Sequence, residues 1–195
     1  MRWIWVRHGE TQENRERRYL GHYDAPLTAR GRRQAEVVAE RLSGERIDFI
    51  YTSDLLRCRE TAEVIARVHG LYPFVAKELR ELDFGKWDRK TYEEIMQRDK
   101  QLAKEWYNDP YTITPPEGES LQELGKRVDR WLLALQERMH PREIAVLVSH
   151  GGPIRWFLAT WIMETPACFW SVKNLGPGEF FIAEKCGQTW IARSL

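Results

Sequence analysis

The sequence predicts an α/β fold of three layers, with helices on both sides of a mostly parallel sheet. Three observations carry that prediction. Short apolar segments alternate with amphipathic segments of helix length along most of the chain. Two of the short segments, residues 3–6 and 144–148, are apolar at every position, as strands covered on both faces are. The last two, "EFFIAE" and "TWIAR", read as a hairpin, so the sheet is not wholly parallel.

Residues 3–6 form the heart of the first strand, and residues 15–27 a polar loop with Gly21 and Pro26. From Thr28 to about Leu42, Ala35, Val38, Ala39 and Leu42 recur at helical spacing, and Gly44 supplies a stop. "IDFIY" at 47–51 reads as a second buried strand. A helix from about Leu55 to His69 closes at Gly70, and a short strand follows around Leu71–Val75. Thr91 with Glu94, and Ser120 with Glu123, make capping-box patterns. The first predicts a helix through about Trp106. The second opens a helix to about Met139, with Leu121, Leu124, Val128, Leu132 and Leu135 on one face. Between them "NDPYTITPPEGES" is a loop. "IAVLVSHGGP" is a strand and a turn, with Pro153 as the first residue of a helix reaching about Met163. Cys186–Gly187 joins the two strands of the hairpin.

The 195 residues, 43% of them hydrophobic, suffice for one domain with a substantial core. The expectation is a single domain over 1–195, with a helical and loop cap around 86–118. Lys and Arg total 30 against 29 Asp and Glu, which removes the electrostatic case for a general nucleic-acid or membrane-surface partner. A small anionic ligand needs only a local positive pocket. The three cysteines, Cys58, Cys168 and Cys186, are odd in number and scattered, which predicts a reduced, cytoplasmic setting. The opening "MRWIWVRHGE" does not read as a signal peptide, and no run approaches membrane-spanning length.

Ligands of such sheets bind beyond the carboxyl ends of the strands. His8 and His150 each stand just past the end of a buried strand, and each is followed by glycine. If the two strands are neighbours, the imidazoles converge at one edge. "LGPGEF" at 175–180 is glycine-rich but lacks the Lys-Ser/Thr of a nucleotide-binding loop.

"VRHGET" with Asn14 resembles the signature of the histidine phosphatase superfamily, also called phosphoglycerate mutase-like. "GHYDAPLTARGRRQA", "IYTSDLLRCRETAE", "LRELDFGKWDRKT", "PPEGESLQEL" and "VLVSHGG" are similar to its further motifs, in the family's order over most of the chain. The resemblance implies a phosphoglycerate mutase-like fold and a phosphomonoester hydrolase that works through a phosphohistidine, without metal or other cofactor. His8 is then the nucleophile and Glu81 the proton donor. Arg7, Asn14, Arg57, His150 and Gly151 bind the substrate phosphate. The chemistry requires such residues. A phosphomonoester is nearly a dianion at neutral pH, so an imidazole can attack only once its oxygens are neutralised by planar, permanently charged guanidinium groups. His150 donates a further hydrogen bond, best as an imidazolium, and Gly9 and Gly151 let the backbone approach the phosphate.

Alternatives stand beside several assignments. Glu78 and Asp83 flank Glu81, Asn14 serves equally as a loop cap, and Arg15, Arg17 and Arg18 read as a solvated cluster with one member able to hold an anionic substrate. His22, His69 and His140 read as surface residues, and Trp87 and Trp106 as core or as a roof over the site. Among relatives, "YLGHYDAPLT" and "PPEGESL" look most similar to α-ribazole phosphatases of cobalamin biosynthesis and to broad-specificity bacterial phosphatases. The candidate substrate is therefore a small phosphorylated metabolite, with α-ribazole 5′-phosphate first. The family's mutases, which carry longer insertions, are the alternative. A metal-dependent hydrolase and a non-catalytic phosphate-binding module come behind them. The resemblance also makes a homodimer an expectation.

Overall fold

The computed structural model describes residues 1–173 and 175–193. Six strands form one mixed sheet in the order β3-β2-β4-β1-β5-β6. β1 (Arg2–Arg7), β2 (Phe49–Thr52), β3 (Phe74–Val75) and β4 (Ile144–Ser149) run parallel. β5 (Phe180–Cys186) lies antiparallel to β1, and β6 (Thr189–Arg193) antiparallel to β5.

The period-2 alternation of the central strands sorts their side chains onto two faces. Trp3 and Trp5 of β1, with Ala145 and Leu147 of β4, join a core with α6 (Leu121–Arg138) and α7 (Gly151–Phe157). Ile4 and Val6, with Val146 and Val148, pack on the opposite face against α2 (Ala29–Leu42) and α3 (Leu56–His69). Both faces are thus covered, which is why residues 3–6 of β1 and 144–148 of β4 are apolar throughout. α1 (Gln12–Arg15) is a single turn just after β1. α4 (Tyr92–Arg98) and α5 (Lys100–Asn108) lie in the long crossover before α6. Among the described residues no helix is long and apolar enough to cross a membrane.

Four expectations shift. The helix expected from Thr91 to Trp106 is two helices broken at Asp99, whose carboxylate accepts the Trp87 indole N–H at 2.9 Å. α7 begins at Gly151, two residues before Pro153; a proline at the third position still costs nothing there, because first-turn N–H groups have no intrahelical acceptor. The last part of that helix, Leu158–Ile162, is wound as a π-helix. The hairpin turn is Gly187–Gln188, with Cys186 still in the strand, and Gly187 takes the left-handed φ of 63° the turn requires.

Candidate active site

β1 and β4 are direct neighbours, with Arg7 opposite Ser149. The two strand ends therefore release His8 and His150 side by side, their rings 5.1 Å apart. The His8 backbone N–H still donates to the Ser149 carbonyl at 3.1 Å, which ties the exit of one strand to the other. His8 Nδ1 lies 2.7 Å from the Gly9 carbonyl. A carbonyl only accepts, so Nδ1 carries the proton and Nε2 keeps its lone pair. Burial, then the guanidinium groups of Arg57 and Arg7, hold His8 well below the ordinary imidazole range, so the ring is neutral.

His150 is likewise held well below the ordinary imidazole range, first by burial and then by Arg57, and is neutral. The expected imidazolium is not what the bonding allows. Arg57 Nε donates to His150 Nδ1 at 3.2 Å, which fixes the proton on Nε2, and Nε2 reaches Ser53 Oγ at 2.9 Å. Arg57 itself is fully buried. Its other nitrogens donate to the carbonyls of Tyr23 and Gly21, at 2.9 and 2.7 Å. Arg57 and His150 thus stand behind His8 and are not part of the cavity wall.

That cavity, about 220 Å³, opens over His8. A water needs about 10–15 Å³, so the space accommodates an organic phosphate and not merely a lone ion. Arg7, His8, Asn14, Glu81 and Gly151 all line it. Arg7 donates through Nη1 to the Leu175 carbonyl, while among the described residues its buried Nε has no partner. Asn14 is both a cap and a wall residue. Its Oδ1 accepts the Thr11 N–H at 3.2 Å in a capping box at the start of α1, which leaves its amide N–H groups as the donors it can offer.

Glu81 is the one carboxylate in the wall among the described residues; Glu78 is exposed and Asp83 accepts the Gly85 N–H at 2.9 Å. Glu81 Oε1 accepts the N–H groups of Leu82 and Gly152, at 2.8 and 2.9 Å, and Oε2 lies 3.1 Å from the Gly152 nitrogen. A Cβ at Gly152 would stand 2.1 Å from Glu81 Oε1, so a larger residue there would displace this carboxylate. From α6, Arg127 donates to the carbonyls of Glu78, Arg80 and Glu81 at 2.6–2.8 Å and pins the segment carrying Glu81.

Gly9 has a reason besides the one expected. A Cβ on it would stand 2.2 Å from the Gly31 carbonyl, so the packing of β1's exit on α2 requires glycine there as well. His22, expected at the surface, is half-buried and donates from Nε2 to the Glu81 carbonyl at 3.0 Å. Trp106 does line the cavity, whereas Trp87 packs behind it at 5.8 Å. Three wall residues escaped the sequence reading: Arg155, Phe169 and Trp170. Arg155 had a signal, because it falls one helical turn after Gly151. Phe169 and Trp170 had none, lying in an irregular stretch far from every motif.

A family model described as histidine phosphatase superfamily (branch 1) matches residues 3–194. The chain belongs to the histidine phosphatase superfamily. Within it, the chain is 35% identical over 168 residues to the adenosylcobalamin/alpha-ribazole phosphatase of Escherichia coli K12, covering 86% of this chain and 82% of that relative. It is 40% identical over 162 residues to a protein of Klebsiella pneumoniae named "Probable phosphoglycerate mutase GpmB", covering 83% and 74%. The crystal structure of the alpha-ribazole phosphatase of Shigella flexneri superposes with a TM-score of 0.92 at 31% identity, over all of this chain and 96% of that one. Mycobacterial glucosyl-3-phosphoglycerate phosphatase superposes with a TM-score of 0.90 at 28% identity, over 99% and 97%. Family, fold and the phosphatases among these relatives support a phosphatase of the histidine phosphatase superfamily.

Proposed function

We propose that the protein hydrolyses a small phosphomonoester through a phosphohistidine on His8. One observation carries this reading: a neutral imidazole, its Nδ1 proton given to the Gly9 carbonyl, faces a cavity that also holds Arg7 and a single carboxylate, Glu81. Arg7 and Asn14 meet the phosphate oxygens from the wall, together with the backbone at Gly151, the first residue of α7. Arg57 adds fixed charge from behind, and the neutral His150, bonded to it, holds the floor of the site. His8 Nε2 attacks phosphorus; the N–P bond forms as the P–O bond to the alcohol breaks. The alcohol oxygen takes a proton from Glu81, through Oε2, since Oε1 is committed to two backbone N–H groups. Water then attacks the phosphohistidine and gives its proton to the Glu81 carboxylate. The N–P bond breaks, phosphate leaves, and both residues return to their starting states.

The mutase reading is favoured by the relatives named as phosphoglycerate mutases. Hydrolysis is preferred because solved structures that superpose over nearly the whole chain include an alpha-ribazole phosphatase and a glucosyl-3-phosphoglycerate phosphatase. α-Ribazole 5′-phosphate stands first among substrates on that ground. The cytoplasmic setting rests on the three free, scattered cysteines, and the homodimer and the cap over 86–118 on the family resemblance. No metal enters this scheme, and the guanidinium groups around the cavity would oppose a divalent cation.

The test is a rapid quench of the enzyme with ³²P-labelled ester. An acid-labile, base-stable phosphoryl group should appear on the wild type and be absent from His8→Ala, with turnover releasing inorganic phosphate and unaffected by EDTA. Label trapped with equal yield on His8→Ala would remove His8 from the role. Transfer to a second hydroxyl without phosphate release would favour the mutase.

A further inference from the structure

The cavity contains a guanidinium that the proposed reaction does not use. Arg155 sits on α7, four residues beyond Gly151, so about 6 Å further along the helix axis from the end assigned to the transferred phosphate. Its buried Nε has no acceptor, and among the described residues its side chain makes no hydrogen bond or ion pair. The other two cations of the wall are engaged: Arg7 with the Leu175 carbonyl, Arg18 with Glu16 and Glu94. Phe169 and Trp170 border Arg155, their ring centroids 5.7 and 5.6 Å from its guanidinium carbon. Those rings support the cation but offer its N–H groups no acceptor. A half-buried, permanently charged fork without an acceptor, on the wall of an open cavity, is a binding group whose partner comes from outside the chain.

We propose that Arg155 is a specificity-determining residue that binds a second anionic group, a carboxylate or a phosphate, on the alcohol part of the substrate. This deepens the phosphomonoesterase reading and rests on it. A short acidic alcohol reaches both ends: its ester phosphate lies at His8, and its second oxyanion receives the planar fork of Arg155 one helical turn away. It ranks an acidic alcohol above the neutral riboside that the similarity to α-ribazole phosphatases puts first.

Matched esters test it. 3-Phosphoglycerate against glycerol 3-phosphate reads a carboxylate. Fructose 1,6-bisphosphate against fructose 6-phosphate reads a second phosphate. The wild type should favour the acidic member of at least one pair by about tenfold or more in kcat/KM. Arg155→Gln should abolish that preference, mainly through KM, and Arg155→Lys should keep part of it, having the charge but not the fork. Which pair responds identifies the group. No preference in the wild type, or an equal loss by Arg155→Gln on both members of each pair, would overturn the proposal. Calorimetric titration of the same pairs into the His8→Ala protein, with and without Arg155→Gln, reads binding without turnover. If the wild type hydrolyses none of the esters and forms no phosphohistidine, the phosphatase reading fails while the calorimetric preference still decides the role of Arg155.

Discussion

At the scale of single residues, the site separates two tasks by how each side chain is bonded. His8 is fixed as a nucleophile by one hydrogen bond and by its burial beside two cations. Glu81 is fixed in place mainly through Oε1, which accepts two backbone N–H groups, while Oε2 shares only the Gly152 N–H, at 3.1 Å, and keeps capacity for proton transfer. Glu81→Gln should therefore be informative. The amide oxygen can accept the Leu82 and Gly152 N–H groups as Oε1 does, so the fold is retained, but the group cannot supply a proton. General acid catalysis contributes about 10²–10⁴-fold, and a loss of that size is expected in kcat/KM for alkyl phosphates. p-Nitrophenyl phosphate should lose far less, because its leaving group needs little protonation. Steady-state rates on both ester classes check this, and an equal loss on both would move the acid to another group.

At the scale of elements, the parts read from the sequence are those whose determinants are local. The capping boxes Thr91–Glu94 and Ser120–Glu123 form as their spacing predicts, and α6 buries Leu121, Leu124, Val128, Leu132 and Leu135. Gly70 closes α3 in the left-handed conformation, with φ of 64°. What the sequence hides is decided across elements. The break at Asp99 coincides with the carboxylate's bond from the Trp87 indole, a partner twelve residues away. The π-winding of 158–162 goes with Trp156 and Trp161, whose indoles both donate to Asp129 Oδ1, at 2.9 and 2.7 Å. Residues five apart on an α-helix stand about 140° around the axis, and only wider winding brings them to one side. His8 and Arg7 are legible because they stand at the end of a strand; Arg155 belongs to the wall through the tertiary placement of Phe169 and Trp170 beside it. The Gly9–Gly31 contact is likewise tertiary, and it yields a prediction. Gly31→Ala should gain about 0.5–1 kcal/mol from helix propensity. Its Cβ would stand 2.2 Å from the Glu10 carbonyl, a backbone atom, and overpacking costs about 1–3 kcal/mol. Net destabilisation is expected, with lost activity, because the displaced segment carries His8. A denaturant midpoint above that of the wild type would show instead that α2 shifts without penalty.

At the scale of the whole molecule, burying two neutral imidazoles at the sheet edge makes stability depend on pH. His8 and His150 both lie well below the ordinary 6.5 in the folded state. In the unfolded chain they take up protons near that value. Below about pH 6.5 the unfolded state therefore binds more protons than the folded one, and stability falls as pH falls. Above it, both states carry neutral rings and the contribution is flat. Each ring adds up to about 1.36 kcal/mol per pH unit, so the pair gives a slope of at most about 2.7 kcal/mol per unit between pH 6.5 and the folded-state values. Urea midpoints from pH 7.5 to 5 measure the slope. His8→Gln and His150→Gln should each remove about half of it, whatever they do to stability at pH 7.5. His69, also held low by burial, titrates alike in all three proteins and cancels from the comparison. A wild-type midpoint unchanged from pH 7.5 to 5 would mean that the site admits protons freely, and the neutral nucleophile would have to be abandoned with it.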